Sequence, residues 1–304
     1  MSLDDLRSEL GRPRPDFTPS MARVTYWLSE HLIETAWLTL DDVAVSAGVS
    51  PASVVRACQL LGYEGYSHFQ RTVRDGLPGS DLVNKLTRLA NETDSAKGKR
   101  RSPVDRVLTA ERENLERLAP LIGETLGKVA DVLLHASRIG VVSALSSATL
   151  GQSLAAHLAF VLDNVSFFES GSAAGWMFYR DLGPEDVVLA LCFPRYAKAT
   201  LDMVRQVRGK TPHVVLITDP VGPHGPKTQL RLRVPISGDL FSAGPPMAVV
   251  TQMLVHELLD RDANRILMHL KMTEEALAQA GILQQGPSPT MTGSSLFRVV
   301  RGGR

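Results

Sequence analysis

LDDVAVSAGVSPASVVRACQLLG, residues 40–62, holds two short amphipathic helices and the turn between them. Thr39 offers a hydroxyl cap to the first, and Asp41 and Asp42 sit in its first turn, where a helix N-terminus favours negative charge. Leu40, Val43, Ala44 and Ala47 point inward, and Gly48 ends the helix. Ser50 then caps a second helix at once, with Pro51 at the first helical position, where its missing N–H costs nothing. Val54, Ala57, Cys58 and Leu61 face the core of this helix, and Gly62 stops it. Helix, short glycine turn and capped helix form the helix-turn-helix arrangement, whose second helix lies in the DNA major groove. A helical hairpin with a solvated outer face has the same spacing.

If the apolar side chains face in, then Ser50, Ala52, Ser53, Arg56 and Gln59 face out. Small side chains let the backbone approach a duplex, hydroxyls reach phosphates, and an arginine grips guanine O6 and N7 or a phosphate. Helical periodicity extends on both sides of the motif. Met21, Val24, Trp27, Leu28, His31 and Leu32 follow a Pro19-Ser20 start, and Phe69 and Val73 lie on a helix beginning near Tyr66.

The chain has 304 residues, 44% apolar and 21% charged, which is ordinary globular composition at a length that suits two domains. Its net charge of +1 is unevenly spread. Residues 1–75 hold 7 Lys and Arg against 10 Asp and Glu, whereas residues 76–103 hold 6 against 3. The early acids lie mostly before residue 43, while Arg56, Arg71 and Arg74 follow, so local patches rather than net charge decide any contact with phosphate. Cys58 and Cys192 stand far apart in apolar surroundings, which suits a reducing compartment and gives neither a disulfide framework nor a metal cluster. No window has the length and apolarity of a spanning helix, and the N-terminus lacks an apolar leader core, so a cytoplasmic location without membrane association is expected.

Beyond residue 103 the period changes. Apolar runs at 138–143, 186–192 and 212–218 read as strands, with weaker ones at 165–168 and 232–236. Helical stretches at 104–118, 120–135, 147–162, 172–180, 197–209, 246–260 and 262–281 surround and separate them. Strands apolar on both faces, alternating with helices, make a doubly wound αβα parallel sheet. The expected organisation is an all-α helix-turn-helix domain at 1–77, a linker at 78–103 with a partial helical stretch around Leu82, Leu86 and Leu89, an α/β domain at 104–283, and a Gly, Pro and Ser-rich mobile tail at 284–304.

The run from Leu40 through Gly65-Tyr66 to Phe69 resembles the N-terminal domain of the RpiR-type bacterial transcription regulators. In that family a Val-Ser-x-x-(Thr or Ser)-Val-x-Arg-(apolar)-Cys-x-x-(apolar)-Gly-(aromatic) run forms the recognition helix and its exit, and Val49 to Tyr63 matches it position by position. Ser53 stands where Thr is commoner and Ala57 where an aromatic is commoner. The resemblance implies double-stranded operator DNA as a partner and a C-terminal sugar isomerase (SIS) domain that binds phosphosugars.

Open parallel sheets bind ligands at the carboxyl ends of their strands. Here those loops carry Ser143, Ser146 and Ser147, and Cys192-Phe-Pro-Arg195-Tyr196-Ala-Lys198. Hydroxyls and backbone N–H groups at a helix start hold phosphate, although serines there also serve simply as caps. The second loop departs from the family's Ser-x-Ser-Gly-x-Thr cradle: Cys192, Pro194, Arg195 and Ala197 occupy the four cradle positions. Arg195 brings a bidentate fork, Tyr196 a phenol and Lys198 a further charge, which admits a phosphosugar or a sugar acid. An ion-paired surface arginine is the alternative.

Two functions compete. One is a ligand-responsive DNA-binding regulator of a carbohydrate-catabolism operon, acting as a homodimer or homotetramer because one helix-turn-helix contacts too few base pairs. The other is a phosphosugar aldose–ketose isomerase. Isomerisation needs a tuned general base, usually aided by a histidine. Glu169 is the acid taken as the candidate base near a strand end, without a partner in sequence, and the eight histidines are scattered without a metal-type pair. The regulator is therefore preferred, with no catalytic residue, metal or cofactor expected.

Overall fold

The computed structural model describes residues 3–12, 14–77, 102–223, 230–237 and 243–282. Helices α1 (Leu3–Leu10), α2 (Pro19–Glu30), α3 (Leu32–Thr35), α4 (Leu40–Ala47), α5 (Pro51–Leu60) and α6 (Tyr66–Gly76) make the N-terminal unit. Thr39 and Asp42 close a reciprocal capping box on α4, and Ser50 Oγ accepts the Ser53 amide at 3.2 Å to cap α5. Between them Gly48 adopts φ +65°, a left-handed conformation that a Cβ disfavours. Leu28, Leu32, Val43, Val54 and Phe69 are fully buried in the common core. Each contributes roughly 1.5–3 kcal/mol of burial to holding the two helices of the motif in place.

Helix α1 is absent from the sequence reading. Leu6 and Leu10 recur at near-helical spacing and are buried in the same core, so tertiary contact sustains eight residues that are too short to be helical alone.

The second unit is built on a five-stranded parallel sheet in the order β2-β1-β3-β4-β5, from β1 (Ile139–Ser143), β2 (Val165–Glu169), β3 (Val187–Leu191), β4 (His213–Thr218) and β5 (Leu230–Arg233). All five anticipated strands are present. The residues of β3 divide by parity: Val187, Leu189 and Leu191 enter the core on one face, while Val188 and Ala190 enter the core on the other. Helices α7 (Pro103–Leu134), α8 (Ser146–Ala159) and α11 (Gly244–Gln279) cover the first face, and α9 (Ala173–Arg180) and α10 (Lys198–Val207) the second. Strand order reverses between β1 and β3, so the loops after these two strands flank the switch point where such sheets bind ligands.

Two helical expectations are refined. Pro120 does not divide α7, because Leu118, Ile122, Leu126, Val129 and Leu133 form one buried stripe across it. That packing offsets the roughly 3 kcal/mol an interior proline costs. The break expected near residue 261 does occur, at Asp262 (φ −147°, ψ 69°), whose Oδ1 accepts the Arg265 amide at 3.1 Å and recaps the second half of α11. The expected linker helix around Leu82, Leu86 and Leu89 and the 284–304 tail lie outside the described residues.

Candidate functional site

On α5, Ala52, Arg56 and Gln59 are exposed, as is the cap residue Ser50, and Ser53 is half-buried. The Ser50 and Ser53 hydroxyls lie 3.0 Å apart and share a hydrogen bond, so both are held at the helix start. Arg23 of α2 adds a cation that the sequence reading overlooked. Its guanidinium donates to Gly48 O at 3.2 Å, beside the turn of the motif.

At the switch point the six expected ligand residues divide. Ser143 is fully buried and its hydroxyl lies under α8, where a Cβ on Gly151 would come within 2.3 Å of it. Ser147 is also buried, and its Oγ accepts the Phe193 amide at 3.3 Å, tying the first loop to the second. Ser146 is exposed at the start of α8, whose N-cap Leu145 provides no side-chain acceptor for the first-turn amides.

Arg195, Tyr196 and Lys198 line a separate cleft of about 350 Å³ at the junction of the two units. Leu201 and Arg205 continue its wall from α10, while Trp37, Arg74 and Asp75 close it from the helical unit. The Tyr196 hydroxyl donates to both carboxylate oxygens of buried Asp219, at 2.9 and 3.1 Å. Its ring meets that of Trp37 edge-on, with centroids 4.3 Å apart. Trp37 Nε1 also donates to Val221 O at 3.3 Å, so the junction carries both an aromatic and a polar contact. Burial pushes the Asp219 carboxyl above the ordinary carboxylate range, opposed by its hydrogen bond from Tyr196. Burial likewise raises the Tyr196 phenol, with the nearby Asp219 charge adding to it, so the phenol keeps its proton.

Lys198 and Arg205 both pair with Asp202, the latter at 2.7 Å, whereas Arg195 has no hydrogen-bond or ion-pair partner among the described residues. Burial raises both thiols, Cys58 and Cys192, to about 12, so neither serves as a nucleophile. Among the described residues no group of His, Cys, Asp or Glu is placed to hold a metal ion.

The residues that sequence reasoning missed, Trp37, Arg74 and Arg205, line this cleft from separate elements, and Asp219 lies buried behind Tyr196. Only the docking of the two units brings them together, so no local spacing signals it.

A family model for the helix-turn-helix domain of the rpiR family matches residues 5–78, and a SIS domain model matches residues 132–259. An HTH-type transcriptional regulator from Caldanaerobacter subterraneus subsp. tengcongensis is 19% identical over 294 residues, spanning 92% of this chain and 99% of that protein. Two solved structures share the fold. The NanR protein of Vibrio vulnificus, complexed with ManNAc-6P, is 19% identical with a TM-score of 0.58, covering 91% of this chain and 98% of its own. The sugar isomerase domain of an RpiR transcription factor from Sphaerobacter thermophilus is 19% identical with a TM-score of 0.52, covering 58% of this chain and 99% of its own. With the two family models met in this order, on the helical unit and on the parallel sheet that were built above from their residues, the chain belongs to the RpiR family of helix-turn-helix transcriptional regulators carrying a C-terminal SIS domain.

Proposed function

We propose that the protein binds double-stranded operator DNA through α5 and that its SIS domain senses a phosphosugar or sugar acid, so that the bound state controls a carbohydrate-catabolism operon. The observation that carries this reading is the capped helix α5, which turns Arg56 and Gln59 outward from a helix-turn-helix core. Ser50, Ala52 and Ser53 allow close approach and meet phosphate, while Arg56 and Gln59 reach base edges. The effector lies at the carboxyl ends of the strands, held by Ser146, Ser147 and the amides starting α8, or by Arg195, Tyr196 and Lys198. Ser143, turned beneath α8, supports the loop from below. Its phosphosugar class is favoured by the ManNAc-6P complex of the Vibrio vulnificus relative.

A regulator is favoured over an isomerase by what surrounds the strand ends. The described segments that follow β1, β2, β3 and β4 hold no histidine, and Glu169 is an exposed residue on the edge strand. Fluorescence anisotropy of DNA taken from upstream of the protein's own gene tests the proposal. Saturable binding that weakens with salt and is altered by hexose or hexosamine 6-phosphates is the expected result. Failure to bind any of that DNA, together with steady interconversion of a phosphosugar, would overturn it.

A further inference from the structure

We propose that the anionic group of the effector, a phosphate monoester or a carboxylate, is held in the cleft between the domains by Arg195 from the sheet domain and Arg74 from the helical domain, so that one small molecule bridges both. This rests on the reading above that the SIS domain takes an anionic effector, and it adds that the DNA-binding domain supplies part of the site.

Charge is the first ground. Of the cations lining the cleft, Lys198 and Arg205 share Asp202, but Arg195 is unpaired among the described residues. Arg74 spends its hydrogen bonds on neutral acceptors, Ala36 O at 2.6 Å and Gln70 Oε1 at 2.8 Å. Its pKa is lowered by desolvation, opposed by Tyr66 and by Asp75 on the same cleft wall, while the like charge of Arg205 adds to the lowering. Two guanidinium groups facing one cleft of about 350 Å³ suit an anion on a small polar molecule.

Backbone geometry is the second. Arg195 adopts φ +80°, a left-handed conformation that a non-glycine residue takes at a cost of about 1–3 kcal/mol. The loop is held there from three directions: Tyr196 N donates to Phe193 O at 2.9 Å, Phe193 N to Ser147 Oγ, and the Tyr196 hydroxyl to Asp219. The fold thus holds Arg195 at the cleft wall at the expense of local strain.

The third ground is mechanical. Tyr66, Gln70 and Arg74 lie along one face of α6, and all three donate to carbonyls of the segment 35–38 that carries Trp37. Trp37 in turn meets Tyr196, the neighbour of Arg195. An anion drawing Arg74 and Arg195 together therefore acts on the segment 35–38, which receives these hydrogen bonds from α6 and leads directly into α4 of the motif. It shifts DNA affinity to the extent that it prefers one domain arrangement over the other.

The test is calorimetric titration of the full-length protein with inorganic phosphate, glucose 6-phosphate and gluconate, whose ranking tells a phosphate from a carboxylate ligand. Wild type is expected to bind at least one probe, with R195Q and R74Q each weakening it tenfold or more. Because R74Q also loosens the Ala36 contact, R74K, which loses the same contact but keeps a positive charge, is measured beside it and should weaken the probe less. Binding lost in R195Q but unaltered in R74Q, or weakened equally in R74Q and R74K, would confine the site to the sheet domain and overturn the bridge, as would a wild type that binds none of the probes. DNA affinity is followed in parallel. Cleft variants that lose the probe in a protein that never binds DNA would support the bridge while removing the regulator reading.

Discussion

Arg56 projects from α5 into solvent with no role in the core, so Arg56→Ala separates recognition from folding. It should weaken DNA binding by about 1–3 kcal/mol if it reads a base, or by less and with a shallower salt slope if it meets only phosphate. The melting temperature should stay nearly constant, and a mobility shift unchanged by the substitution would remove α5 from the interface. At Arg195, replacement by Ala should bring the ratio of DNA affinities with and without glucose 6-phosphate, or whichever probe binds, close to one. Lys there should restore only part of the response, because an ammonium lacks the planar fork. Asp219 makes a pH-dependent case. Its folded-state pKa is raised by burial, so as pH climbs through the unfolded and then the folded value the native state loses stability that it had when the group was protonated. A carboxamide in its place has no proton to lose. The melting-temperature difference of Asp219→Asn over wild type should therefore grow in favour of the variant as pH rises above the ordinary carboxylate value of 3.8. A difference that is flat with pH would mean that the carboxyl titrates normally.

Among the elements, the motif turn depends on Gly48, whose left-handed φ makes Gly48→Ala destabilising by about 1 kcal/mol, measurable by denaturant unfolding. How much of each element was legible follows from where its stability originates. The central strands β1 and β3 are buried along their whole length and read directly from their apolar runs. Helices α4 and α5 carried their own caps, so their boundaries fell within a residue of those expected. Helix α1 was passed over because its two buried leucines matter only once α2 lies against them. Local rules also divided α7 at Pro120, whereas the stripe from Leu118 to Leu133, packed on the sheet and on α11, carries the helix through.

For the whole molecule, paired recognition helices about 34 Å apart, or a multiple of that, are needed to read an operator with specificity. We expect sedimentation velocity to find a homodimer or homotetramer, and the protected DNA to contain two related half-sites. No turnover is expected on common phosphosugars; interconversion that vanishes in Glu169→Gln would instead assign an isomerase. The loop after β3 was legible as a candidate anion site from its place at a strand end and from Arg195, Tyr196 and Lys198, but the cleft was not. Trp37, Arg74 and Arg205 belong to segments far apart in sequence, and only docking of the helical domain on the sheet makes them neighbours. That docking restricts how the two halves are exchanged. A helix-turn-helix domain grafted from a relative would keep its own core and its own recognition helix. Unless it also brought an indole to the place of Trp37, however, it would meet Tyr196 and the Val221 carbonyl with nothing to offer them. Chimeras of this protein should accordingly bind the donor's DNA yet ignore the recipient's metabolite until that indole and the guanidinium of Arg74 are both restored.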